Sequence, residues 1–177
     1  MLLTIVGGAL LATSVRAEER AAAAQVENTG LISRRVHTEV EIQASAERVW
    51  AILGDFSDYP SWNPFVRQIS GILRKDERLQ VTLQPPGGSA MSFRPTVIVA
   101  EANRELRWRG SVIISGIFDG EHYFVIEPRS ASSVRFVQGE NFSGVLVPLL
   151  GSVIRKASEG FAAMNAALKH RAESASR

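Results

Sequence analysis

Two side chains in this 177-residue chain have the types and spacing to do chemistry together, His122 and Glu140. Around His122 the residues Phe118, His122, Phe124 and Ile126 share one strand parity, while Asp119, Glu121 and Glu127 take the other, so His122 belongs to the apolar face. Around Glu140 the set Val134, Phe136, Gln138, Glu140 and Phe142 opposes Ser133, Arg135 and Asn141, which turns Glu140 inward as well. A hairpin turn near Ala131 places His122 directly across from Glu140, whereas a turn at Ser130 places it across from Gln138. Either register brings imidazole near carboxylate, because cross-strand neighbours on one face lie about 5 Å apart at Cβ. An isolated charge among apolar groups is costly, so a mutual pair, or a neutral pair sharing a proton, is expected. Three roles follow: the pair fixes a polar group of a ligand, it works as general acid and base on an enolisable substrate, or its two members only satisfy each other. Glu121, next to His122, falls on the outer face and reads as a surface charge.

The elements that must position this pair are legible from periodicity. Val36, Thr38, Val40 and Ile42 alternate with His37, Glu39, Glu41 and Gln43, the period-two pattern of a strand with one wet face. Ser45 is placed to cap a short helix whose apolar residues are Val49, Ile52, Leu53 and Phe56. The segment from Asp55 to Phe65, with two prolines and four aromatics, predicts a packed helical turn rather than a regular element. Six further alternating stretches follow, roughly 66–73, 79–84, 91–101, 105–114, 117–127 and 133–142, separated by turn residues such as Pro86-Gly87-Gly88 and Ala102-Asn103-Arg104. A helix starting near Pro148 then carries Leu149, Leu150, Val153, Ile154, Ala157, Phe161, Met164 and Leu168 on one face. This order predicts an α+β fold: a seven-stranded curved antiparallel sheet wrapped around a long C-terminal helix.

Composition narrows the function. With 45% hydrophobic and 21% charged residues the chain reads as one globular domain. The absence of cysteine excludes disulfides, thiolate metal sites and a cysteine nucleophile. His37, His122 and His170 lack ligand spacing, so no metal site is expected. A formal charge of +2, with basic residues scattered among acidic ones, argues against a nucleic-acid partner. No phosphate loop is present, and Ser61, Ser89 and Ser115 lie in no GxSxG context. Residues 1–17 are uncharged up to Arg16, apolar, too short to span a membrane and end in Val15-Arg16-Ala17, which predicts a signal peptide and an exported protein, periplasmic or secreted; without such a leader the protein would be cytoplasmic. Residues 18–33 read as a linker, and 34–177 as the folded domain.

Several segments carry a family resemblance: VWAILGDFSDYPSWNPF (49–65), ELRWRG (105–110), GEHYFVIEP (120–128), ENFSG (140–144) and FAAMNAALKHRAE (161–173). Together they resemble the START-like, helix-grip (SRPBCC) superfamily, in its polyketide cyclase/dehydrase-like branch. The resemblance implies a cavity between sheet and long helix that holds an apolar or amphipathic small molecule such as a lipid, polyketide or isoprenoid, with no cofactor. The candidate ligand-binding residues are then Trp62, Phe65, Phe93, Trp108, Phe118, His122, Phe124, Phe136, Glu140, Phe142, Phe161 and Met164, each aromatic serving equally as plain core. Gly160 on the helix's apolar face leaves room for a bulky sheet residue or for ligand, and Asn165 borders that face. Binding or transport is the first reading. The alternatives are a cofactor-independent cyclase or dehydratase using His122 and Glu140, and a protein-interaction module whose cavity is closed by its own aromatics. The oligomeric state is left open.

Overall fold

The alternation beginning at Val36 falls within strand β2 (Ser33–Ile42). The computed structural model describes residues 24–112 and 114–174, and so leaves the leader-like residues 1–17 outside the described part. Ahead of β2 runs β1 (Gln25–Gly30); after it come helices α1 (Ala46–Gly54) and α2 (Tyr59–Trp62). Then follow β3 (Val66–Ser70), β4 (Gln80–Leu83), β5 (Met91–Phe93), β6 (Thr96–Glu101), β7 (Glu105–Val112), β8 (Phe118–Ser130), β9 (Ser133–Ser143) and the long helix α3 (Gly151–Ser174). One antiparallel sheet has the order β1-β2-β9-β8-β7-β6, and a smaller one the order β3-β4-β5. Helix α3 packs over the concave face of the larger sheet, the helix-grip arrangement.

The seven strands expected from alternation become nine in two sheets, for two reasons. The stretch 91–101 is not one strand, because Pro95 has no N–H to offer the ladder and breaks it into β5 and β6. The Pro95 carbonyl instead accepts from the Leu79 amide at 2.9 Å, and the Val97 amide donates to Glu77 at 2.9 Å, so the two sheets are stitched together at the break. The second reason lies in 18–33, read as a linker: its residues 25–30 form β1, paired with β2 from Ser33 to His37. Every residue of β1 is exposed, so no buried alternation marks it; backbone pairing alone makes the strand.

Local signals elsewhere act as their chemistry requires. The Ser45 hydroxyl accepts from the Arg48 amide at 3.3 Å and caps α1, whose Val49, Ile52 and Leu53 enter the core. In the irregular segment that follows, the buried Tyr59 hydroxyl donates to the Leu53 carbonyl at 2.9 Å, and burial pushes its phenol well above the ordinary range. Pro148 sits in a 3-10 turn, Val147–Leu149, just before α3. Leu149 itself is 77% exposed and does not join the apolar face; the buried face of α3 is Ile154, Ser158, Gly160, Phe161, Met164, Asn165, Leu168 and Ala172. Among the described residues no helix is long and apolar enough to cross a membrane.

Candidate functional site

Strands β8 and β9 pair with His122 opposite Glu140, the register set by a turn near Ala131. His122 Nδ1 lies 3.5 Å from Glu140 Oε2. On the other side of the ring, Nε2 lies 3.2 Å from the side-chain nitrogen of Gln138, one diagonal step along β9. That same amide nitrogen lies 3.5 Å from Met164 Sδ on α3. The Gln138 amide thus lies between the imidazole and the Met164 thioether and links β9 to α3.

Aromatic packing holds the imidazole in place. Trp108 on β7 stacks on it at 5.2 Å between centroids, Phe161 of α3 meets it edge-on at 4.7 Å, and Phe124 lies at 4.5 Å. Behind it a short polar row continues through the core, since Gln138 pairs with Thr38 across β9 and β2, and the Asn165 amide of α3 donates to the Thr38 hydroxyl. Gln138 Oε1 and Asn165 Oδ1 are buried without a partner.

In front of the pair is a cavity of about 80 Å³. Its cause is visible in the register: Gly110 and Gly120 face each other across β7 and β8 on the concave side, so two side chains are missing from the sheet surface. The Glu140 carboxylate occupies the place a Cβ on Gly120 would need. Phe93 closes on Gly110, where a Cβ would approach its ring to 3.3 Å. Phe118 and Phe142, stacked at 5.4 Å, form one wall, and Phe65, Trp108, Val153 and Ala157 the others. Met91, 45% exposed, stands at the rim with Pro85 and Ser111. Among the described residues that line it, Glu140 is the sole charged one.

Six of the candidate residues line this cavity: Phe65, Phe93, Trp108, Phe118, Glu140 and Phe142. His122 lies directly behind, in contact with Glu140 and Trp108. Phe124, Phe136, Phe161 and Met164 are packed core around the imidazole and the closed end of the sheet. Trp62 is elsewhere: it packs on Tyr59 at 5.1 Å and borders a separate surface depression with Arg48, His170 and Arg171. Gly160 serves packing, since the Phe65 ring fills the space a Cβ would take. Sequence reasoning did not single out Gly110 and Gly120, although both share the parity of His122 or Trp108, and it weighed Gln138 only as an alternative partner. Among the described residues no three His, Asp or Glu side chains converge as a metal would need.

Outward-facing residues of the same strands are different. Arg107 bonds Glu105 at 2.7 Å and Glu121 at 2.8 Å, Arg109 also bonds Glu121, and Arg135 joins Glu39 to Glu127. The Arg135 hydrogen bond holds the Glu39 carboxyl below the usual range.

The comparisons with known proteins agree with this fold. The chain belongs to the polyketide cyclase/dehydrase and lipid transport family, whose model matches residues 33–173. Its fold is similar to that of a START superfamily protein from Mycobacterium smegmatis, with 24% identity, a TM-score of 0.63, and 80% of this chain and 99% of that one covered. A norcoclaurine synthase point mutant from Thalictrum flavum, with a transition-state analogue, matches at 15% identity and TM-score 0.66, covering 85% and 100%. A Streptomyces aromatase/cyclase matches at 14% identity and TM-score 0.62, covering 81% and 98%. These likenesses establish the fold. No curated protein sequence matches this chain.

Proposed function

We propose that this protein binds a small apolar or amphipathic molecule in the cavity between the sheet and α3, with a polar group of the ligand directed at Glu140. The observation that carries this reading is the facing pair Gly110 and Gly120, which opens an aromatic-lined space in front of one inward carboxylate. At about 80 Å³ the space is well below the roughly 300–1,000 Å³ of a drug-sized ligand's pocket, so it suits a single ring or the end of a longer chain passing the Met91 rim. Native mass spectrometry of the purified protein, followed by solvent extraction, tests it: a released apolar molecule near one-to-one supports binding. An empty protein that also fails to take up small aromatic ligands would leave a closed interaction module instead.

A second reading, a cyclase or dehydratase, draws support from the imidazole whose Nδ1 lies 3.5 Å from Glu140 Oε2, an arrangement able to relay a proton between ligand and ring. Glu140→Gln separates the two. Loss of turnover with affinity retained indicates catalysis; a change in affinity alone indicates ligand positioning.

A further inference from the structure

The end of the molecule where the cavity opens is apolar on its outside as well. Among the described residues eight large apolar side chains are exposed, and six of them, Leu31, Ile32, Met91, Ile114, Val145 and Leu149, lie there. They come from four separate segments: the β1–β2 turn, the start of β5, the β7–β8 turn and the loop between β9 and α3. Backbone hydrogen bonds hold three of these segments in one group, since the Gly144 amide donates to the Ile32 carbonyl, and the Val145 and Leu146 amides to Gly116 and Ile117, each at 3.1 Å. Met91 stands at the rim of the cavity, and Phe118, Phe142 and Val153, from the same ends of β8, β9 and α3, line it just behind. The other two exposed residues lie apart: Val26 sits on β1 opposite Val36, and Ile72 follows the Ser70 end of β3, away from the Leu83–Met91 pair. Single apolar exposures are ordinary on a protein surface; six gathered round one opening mark a contact.

Basic side chains are set one step back from these tips. Arg34, Arg35 and Arg109 line an open groove that runs between the β1–β2 and β7–β8 turns. Arg34 donates to the Gly30 and Ser33 carbonyls, and Arg35 to the Asn141 side chain. The two carboxylates of the groove are engaged within the fold, Glu121 by Arg107 and Arg109, Asp119 by the Gly116 amide. Arg155 and Lys156 are exposed near the start of α3, whose first turn has no acidic residue. A protein partner packs best on a continuous apolar patch, whereas here an arginine-lined groove separates Leu31 and Ile32 from Ile114. Apolar tips on separate loops with guanidinium groups behind them match a bilayer, whose acyl boundary accepts the tips and whose phosphates accept the arginines.

We propose that this end of the molecule docks on the surface of an anionic phospholipid bilayer, so that the cavity mouth faces the membrane. Docking of this kind goes beyond the binding role above and does not depend on it.

The chain has no cysteine, so one introduced thiol carries an environment-sensitive dye at a single place. Leu149→Cys and Ile72→Cys, both at exposed positions, are labelled in the full chain and mixed with vesicles of phosphatidylcholine alone or with about one-third phosphatidylglycerol. The expected result is blue-shifted emission from position 149 on the anionic vesicles, smaller as salt is raised, and no shift from position 72. Leu31 is 92% exposed, so Leu31→Ser leaves the core intact. In the Leu149→Cys background it should weaken vesicle binding about fivefold or more, because one leucine tip no longer leaves water. A shift at both positions, no shift at 149, or undiminished binding by Leu31→Ser overturns the proposal. A shift at 149 that grows with protein concentration in the absence of vesicles also overturns it, and places a second copy of the chain on the tips. The binding role is judged separately, by what solvent extraction releases from the cavity.

Discussion

Glu121 on β8 and Glu140 on β9 are one register step apart, yet they lie on opposite faces of the sheet. Burial by itself would raise the Glu121 carboxyl, but hydrogen bonds from Arg109 and Arg107 outweigh it and leave that group below the usual carboxylate range. Glu140 faces inward, across from the His122 imidazole and above Gly120. The convex face is therefore a ladder of arginine–carboxylate pairs in contact with water, and the concave face a largely apolar surface with one carboxylate beside an imidazole. The first arrangement is what a stable exposed sheet needs. The second contributes nothing obvious to stability, and it is there that the two facing glycines withhold the side chains that would fill the space.

The contrast is broken most forcefully where the concave face is packed solid. Phe136 is fully buried and stacks with Phe124 at 6.1 Å. Phe136→Ala should cost about 3–5 kcal/mol in urea unfolding, since a rigid core closes only partly around the missing ring. A loss below about 1 kcal/mol would mean that the supposed closed end is as loose as the cavity. Gly160→Ala comes next. A helical alanine gains about 1 kcal/mol over glycine, but its Cβ would overlap the Phe65 ring, and overpacking of this kind costs about 1–3 kcal/mol. Net destabilisation is expected, together with altered ligand uptake, because Phe65 also lines the cavity. A stabilised variant would show that Phe65 moves freely and that the wall is not fixed.

This division between packed and open regions also decides what can be read from sequence. Strand parity locates His122 and Glu140 on the inner face because charged neighbours such as Asp119, Glu121 and Arg135 mark the outer one. The same logic finds Phe65, Trp108 and Phe142, since an apolar side chain announces its face. It does not find the cavity, which depends on Gly110 and Gly120: a glycine has no polarity to reveal parity, and its meaning appears only when β7 and β8 are registered so that the two meet. Strand β1 escapes for a related reason, as it buries nothing. Trp62 illustrates the opposite error, an aromatic counted toward the cavity that the helical turn carries to another surface. Pro95 was visible, but alternation continued on both sides of it and masked the break.

Two isosteric substitutions sharpen the comparison, with opposite signs. Glu121→Gln removes the charge shared by Arg107 and Arg109 at a group 20% exposed, and should cost about 1 kcal/mol at low salt, less as salt is raised. Glu140→Gln removes a secluded carboxylate, 17% exposed, while keeping shape and an acceptor, so thermal stability should be unchanged or higher by up to about 1 kcal/mol. A clear loss in Glu140→Gln would mean that the His122–Glu140 contact itself stabilises the fold. Measuring both variants at two salt concentrations distinguishes the faces, because only the exposed ladder is strongly screened.

The smallest effect belongs to acid. Glu39, on the convex face, has its carboxyl lowered from 4.5 chiefly by the Arg135 hydrogen bond. A group whose folded pKa lies below its unfolded one contributes stability above the unfolded value and loses that contribution as pH falls through the folded one. The stability Glu39 supplies should thus be complete at pH 7 and decline only below about pH 4.5. Its side chain is 43% exposed, so solvent screens the pair and the contribution is a few tenths of a kcal/mol. Urea midpoints of the parent and Glu39→Gln at pH 7 and at pH 3 are the relevant measurement. The variant should be slightly weaker at pH 7, and the difference should shrink as the pH falls below about 4.5 and the parent's carboxylate takes up its proton. A gap that persists at pH 3 would assign the loss to packing of Glu39 rather than to its charge, and the convex ladder would then owe less to ion pairing than its geometry implies.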